Sequence, residues 1–245
     1  MNYLSYLFDP AHWTGSQGIP VRLVEHLYYT ALTLLIALVI AVPIGAWIGH
    51  TGRGGFLVVG LANGLRALPT LGLLVLIVGA TGLGLLGPIT ALVILAVPPI
   101  LAGTYAGVRN VDPAVVDAAR GMGMRGREVL LGVELPNALP LVLGGIRSSA
   151  LQVISTATIA AYVALGGLGR FIIDGLALRD FPQMIAGSIL VALLAVAADL
   201  LLAGLQKLIV SPGLRAAPGP RPRRAARPGS SRRSSAGSRA GPARR

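Results

Sequence analysis

Residues 112–136 read DPAVVDAARGMGMRGREVLLGVELP, the longest polar run between hydrophobic blocks, and the chain is organised around them. Asp112 is placed to cap a helix, and Pro113 suits its first position, where a missing N–H costs no bond. Val115, Val116 and Ala119 form a small apolar face, with Asp112, Asp117 and Arg120 largely elsewhere. Gly121 and Gly123 end that helix, because glycine takes the left-handed conformation of a helix terminus without strain. A second short helical pattern over 128–135 runs into Pro136. The expectation is two short helices joined by a glycine bend, lying outside the membrane between two spanning segments.

The flanks set that context. The 245 residues are 54% hydrophobic and 12% charged, with a mean hydropathy of +0.74. Soluble domains carry roughly a quarter charged residues, so this is an integral membrane protein. A helix crosses the hydrocarbon with about 20 apolar residues. Five stretches qualify, at about 27–49, 56–78, 88–108, 138–161 and 184–206. The second is the least clean, holding Asn63, Arg66 and Pro69. Residues 67–108 hold no charge and are too long for one helix, and the glycine-rich GATGLGLLGP at 79–88 divides them. Residues 1–25 lack a basic leader region and contain Asp9, so they do not read as a cleavable signal. Tyr3, Tyr6, Phe8 and Trp13 suit an external segment resting at the membrane interface. The pairs Gly45/Gly49, Gly60/Gly64 and Gly103/Gly107 allow close helix approach.

Five spans put the chain ends on opposite sides, and the basic residues decide which. Arg53, Arg109, Arg120, Arg125, Arg127 and Lys207 fall on one side. Arg22, Arg170 and Arg179 fall on the other, offset by Asp9, Glu25, Asp174 and Asp180. The amino terminus is therefore outside, and residues 112–136 and the carboxyl end are cytoplasmic. The formal charge of +12 says little about the folded part, since ten arginines and no acid lie in 211–245, leaving +2 elsewhere. That Pro/Arg/Ser/Gly-rich tail, 208–245, is too poor in apolar groups to fold and suits attraction to anionic lipid rather than nucleic acid. The absence of cysteine excludes disulfides and thiolate metal sites, and His12, His26 and His50 lack ligand spacing. No GxxxxGK[ST] loop is present to bind a nucleotide, and no nucleophile–base set marks an enzyme.

Polar groups inside the spans need partners that lipid does not offer. Ser148, Gln152 and Ser155 lie at i, i+4 and i+7, one stripe of the fourth span, with Ser149 and Thr156 on a second beside it. They either bond between helices or line a path. Arg66, Arg147 and Asp199 each lie eight to ten residues from the cytoplasmic end of a span, about 12–15 Å deep. A shared depth makes one charged layer, in which Asp199 pairs with Arg147 or Arg66 near an inner gate.

The run Asp117-Ala118-Ala119, three residues, Gly123, nine residues, Val133, one residue, Leu135-Pro136 resembles the EAA motif of bacterial ABC importer permeases. The departure is Asp117 where that family usually has glutamate, which keeps the charge and shortens the reach. The resemblance covers about 26–207. It implies an all-α integral membrane protein of the type I permease fold, with about five transmembrane helices and 112–136 as a cytoplasmic coupling helix. It further implies that Asp117, Ala118, Ala119, Gly123, Val133, Leu135 and Pro136 dock into cytoplasmic ABC ATPase subunits. The implied partners are a second permease subunit and an external substrate-binding protein, with ATP and magnesium held by the ATPase and no cofactor by this chain. LRALPTLGLL at 65–74 and ALGGLGRFIIDGL at 164–176 are most similar to permeases for glycine betaine, carnitine or choline. In those, the segment of Gly166, Gly167 and Gly169 lies near the outer gate. Permeases for methionine or another small amino acid are the runner-up. A standalone secondary transporter is the alternative of a different class, against which the coupling segment and the lack of an internal repeat both count.

Overall fold

A computed structural model describes residues 5–82, 84–163 and 165–211. The expected tail therefore lies almost wholly outside the described residues, as does Tyr3. The chain is all-helical among the described residues. Helix α1 (Ser5–Phe8) is followed by a 3-10 turn, Pro10–Trp13, capped by Asp9, whose carboxylate accepts from the Ala11 N–H at 2.9 Å. The aromatic character of this segment has a structural use. Tyr6 stacks on His12 with centroids 3.6 Å apart and meets Phe171 edge-on, and Trp13 Nε1 donates to the Leu7 carbonyl.

Helix α2 (Ile19–Thr51) contains the first expected span and begins eight residues before it. The second span is not one helix. It is α3 (Gly55–Ala67) and α4 (Thr70–Thr81), broken at Leu68 and Pro69. Proline pushes the preceding residue out of the helical region, and Leu68 is extended at φ −73°, ψ 131°. Helix α5 (Leu86–Arg109) is the centre of the bundle and packs against α2, α3 and α4. Helix α6 (Pro113–Gly121) and the one-turn α7 (Gly126–Val129) follow. The sequence pattern at 128–135 is not a separate short helix. It is the foot of a continuous helical run, Gly126–Val163, comprising α7, a π-turn over Leu130–Glu134, and α8 (Leu135–Ala160). Two further helices, α9 (Gly169–Leu178) and α10 (Phe181–Ile209), complete the chain. Among the described residues, four helices are long and apolar enough to cross a membrane: α2, α5, the run Gly126–Val163, and α10. Of the broken pair, α4 is apolar but too short to count with these four.

Small residues set the spacing at the centre. Ala37 and Ala41 of α2 pack on Ala96, Ile100 and Leu101 of α5 and on Val153 of α8. Gly103 of α5 and Gly145 of α8 face each other so closely that a Cβ on Gly145 would sit 2.7 Å from the Pro99 carbonyl oxygen. Gly45, Gly49 and Gly107 are also in close contact with neighbouring helices, whereas Cβ atoms at Gly60 and Gly64 would meet nothing within 4 Å. The second glycine pair of the sequence, Gly60/Gly64, thus meets no neighbouring helix among the described residues. Because backbone lies opposite Gly145, Gly145→Val cannot be absorbed by a side chain. Overpacking of this kind costs ~1–3 kcal/mol, so thermal unfolding of the purified protein in detergent should shift down by several degrees.

Candidate functional site

The first half of residues 112–136 forms as its sequence directs. Asp112 accepts from the Ala114 N–H at 2.9 Å, and Pro113 opens α6. Ala119 is 2% exposed, Val116 is half-buried and Val115 faces outward, so the apolar face is narrower than the sequence implied. The helix stops in a Schellman closure: the Gly123 N–H bonds to the Arg120 carbonyl and the Met124 N–H to the Ala119 carbonyl. Gly123 holds φ +89°, and a Cβ there would meet nothing within 4 Å. Gly121 is the last residue of α6, and the left-handed position falls on Gly123 alone. The Arg125 N–H donates to Glu128 at 2.6 Å, which fixes the start of α7.

Asp117, Ala118, Gly123 and Pro136 are exposed, Val133 and Leu135 half-buried, and Ala119 packs inward. Met122 and Leu131 add exposed apolar surface to the same segment, beside Arg120, Arg125 and Arg127. Such surface at the foot of a membrane bundle is suited to a protein partner.

At that foot the structure also joins two residues that no sequence signal marked. Glu134 is 5% exposed, and its Oε2 shares a 2.6 Å hydrogen bond with Nδ1 of His50, in the last turn of α2. The two are 84 residues apart.

Between α8 and α10, the expected ion pair is present, about one third exposed. Arg147 Nε donates to Asp199 Oδ1 at 2.5 Å and its NH2 to Oδ2 at 2.6 Å, a two-pronged contact between α8 and α10. Asn63 and Arg66 lie on α3, and their side chains are outside the described ones. The two polar stripes of α8 do not act as units: one member of each bonds to α5. Ser149 is fully buried and donates to the Ala96 carbonyl at 2.9 Å. Gln152 donates to the Leu95 carbonyl at 3.2 Å. In a regular helix that carbonyl would bond to the N–H of residue 99, but residue 99 is proline. Gln152 therefore supplies a donor that α5 lacks. Thr156 turns back onto its own helix, bonding to the Gln152 carbonyl. Ser148 and Ser155 are exposed and share one face with Leu141 and Tyr162.

The continuous run Gly126–Val163 is 38 residues long, about 57 Å at 1.5 Å per residue, and separates the coupling segment from the glycine cluster. At that far end Gly167, at φ +88°, donates its N–H to Glu25 Oε2 at 2.8 Å. Glu25 is also held by Arg22 at 2.9 Å, and a Cβ on Gly166 would collide with its carboxylate. Gly169 lies against the backbone of Thr158. The three glycines thus close a tight turn on the ends of α2 and α8.

Comparison with known proteins agrees with this architecture. Residues 41–211 match the family model described as "binding-protein-dependent transport system inner membrane component". The glycine betaine/carnitine/choline transport system permease protein of Bacillus subtilis (strain 168) is 34% identical over 190 residues, covering 78% of this chain and 88% of that one. The carnitine transport permease protein of Listeria monocytogenes is 35% identical over 203 residues, covering 83% and 93%. Among solved structures, an inward-facing methionine ABC transporter superposes with a TM-score of 0.70 at 20% identity, over 79% of this chain and 96% of that one.

Proposed function

This chain belongs to the family of binding-protein-dependent transport system inner membrane components, and on that premise we propose that it is the permease subunit of an ATP-driven importer for a small osmoprotectant. Glycine betaine, carnitine and choline are the substrates named for relatives at 33–35% identity, and a fourth, at 32%, is named as an osmoprotectant import permease. The likeness to the methionine transporter, at 20% identity, carries the fold alone. The observation that carries the reading is the coupling segment: an exposed helix and left-handed glycine bend at one end of an all-helical bundle, with none of the described residues within 4 Å of a Cβ placed on Gly123.

In this reading two permease subunits meet in the plasma membrane, and two cytoplasmic ATPases bind Asp117, Ala118, Gly123 and Pro136. An external binding protein delivers substrate. The amino terminus is outside, the coupling segment and carboxyl end are cytoplasmic, and the arginine-rich tail is drawn to anionic lipid. Closure of the ATPases around ATP draws the coupling segments together and opens the bundle outward, and hydrolysis resets it. ATP and magnesium belong to the ATPase, so this chain performs no chemistry and holds no cofactor. Charged and polar groups at membrane depth avoid lipid. The exposed edge of the Arg147–Asp199 pair, with Ser148 and Ser155, accordingly faces the route between the two subunits, and the Gly166–Gly167–Gly169 turn lies at its outer end. Substrate choice rests mainly with the binding protein, since only 5% of this chain is aromatic and quaternary ammonium groups are recognised by aromatic faces.

The test is uptake of labelled glycine betaine and choline in cells lacking their own systems, with the cognate ATPase and binding protein coexpressed. Uptake should require all three components. Uptake that persists without the ATPase would instead mean a standalone carrier.

A further inference from the structure

The His50–Glu134 contact lies where three things meet: the last turn of α2, the base of the coupling segment, and the first turn of α8. A carboxyl group that is 5% exposed is costly to bury unless a partner compensates it. Its position makes the contact more than local stabilisation. Glu134 closes a π-turn in which the Leu135 N–H reaches back five residues to the Leu130 carbonyl. Pro136 follows, without an N–H of its own. Wide turns of this kind loosen the regular hydrogen-bond ladder, so a displacement of α6 and α7 would be absorbed at residues 130–136 unless they were braced from outside. Bracing comes from α2. His50 Nδ1 holds Glu134, and its Nε2 lies 3.4 Å from where a Cβ on Gly126 would sit. Above the clasp, Ala46 of α2, Val108 of α5 and Ala138 and Val142 of α8 pack with Leu130 and Leu135.

We propose that His50 and Glu134 are positioning residues for coupling: they keep the inner end of α2 and the base of the coupling segment one body, so that a push on the segment is passed to the first span. This rests on the importer reading above. The contact stays closed through the transport cycle.

The experiment uses the complete transporter in proteoliposomes and reads substrate imported per ATP hydrolysed, not uptake alone. His50→Ala and Glu134→Ala should leave ATP hydrolysis running while import per ATP falls about tenfold, within the usual range of coupling between sites. Glu134→Gln, which keeps a hydrogen-bonding group of the same length, should recover most of the ratio. Because the chain has no cysteine of its own, the variant His50→Cys with Glu134→Cys carries its only two thiols, which a short bis-methanethiosulfonate reagent joins through two disulfides, releasing two sulfinates. Bridging should restore import per ATP, and reduction should abolish it again. Alanine variants with an unchanged ratio, or a bridge that fails to restore it or blocks import, would overturn the clasp while leaving the importer intact. Wild-type import indifferent to the ATPase would overturn the importer reading, and the clasp with it.

Discussion

Gly123→Asp should abolish substrate uptake while the permease still folds and reaches the membrane. The reasoning separates two effects that a glycine substitution usually confounds. Gly123 has φ +89°, so any side chain there carries left-handed strain, about 1–2 kcal/mol for an ordinary residue and less for Asp, which tolerates that region. Space is not the difficulty, because a Cβ meets nothing within 4 Å in this chain. The Schellman bonds from Gly123 and Met124 use only backbone and survive the change. What aspartate adds is bulk and charge on a surface that is open here and that the proposed docking of an ATPase would cover. Truncation or blockade at the centre of an interface costs about 2 kcal/mol or more, so uptake should fall by about thirtyfold or more. Gly123→Ala, with the strain but little of the bulk, should fall far less. The measurement is betaine uptake at matched membrane expression, with ATPase recovery on the purified permease as a second readout. Uptake at wild-type level in Gly123→Asp would remove the coupling role from this segment.

That bend was readable from sequence because its physics is local. Asp112, Pro113 and Gly123 each act within a few residues, and their spacing needs no knowledge of the rest of the chain. The membrane character was equally legible, since hydropathy adds along a segment whatever it packs against. The same additivity hid the break at Leu68–Pro69: mean hydropathy over 56–78 passes smoothly through a proline that interrupts the backbone. The pairing of Arg147 with Asp199 was legible because an isolated charge at membrane depth demands a partner, and few were on offer. Gln152 was legible as polar, but its use was not. Only the register of α8 against α5 reveals that it serves the Leu95 carbonyl left without a donor by Pro99. Glu134 was least visible of all, because in sequence it resembles an ordinary polar residue at a helix foot, and burial exists only after α2 has folded beside it.

The charge pair between α8 and α10 carries the other large effect. Asp199→Arg should abolish uptake, and adding Arg147→Asp should recover a substantial part of it. With Asp199→Arg alone, two guanidinium groups face each other where Arg147 now makes a two-pronged contact. Like charges held this close at membrane depth find no counter-charge in lipid, so uptake should drop by roughly tenfold or more. Exchanging both residues restores opposite charges across α8 and α10. Recovery should be incomplete, because aspartate is shorter than arginine and the fork geometry is reversed. The exchange also distinguishes a bond that only holds two helices together from one at the route. The pair is about one third exposed in the single chain, so a purely internal strut would be restored in stability and uptake alike. A pair that faces the route would regain thermal stability in the double variant and still import more slowly, because the field along the pathway has been turned round. Measuring melting temperature and uptake on the same three proteins gives both answers. No recovery of either quantity in the double variant would mean that the contact between Arg147 and Asp199 is not what α8 and α10 depend on.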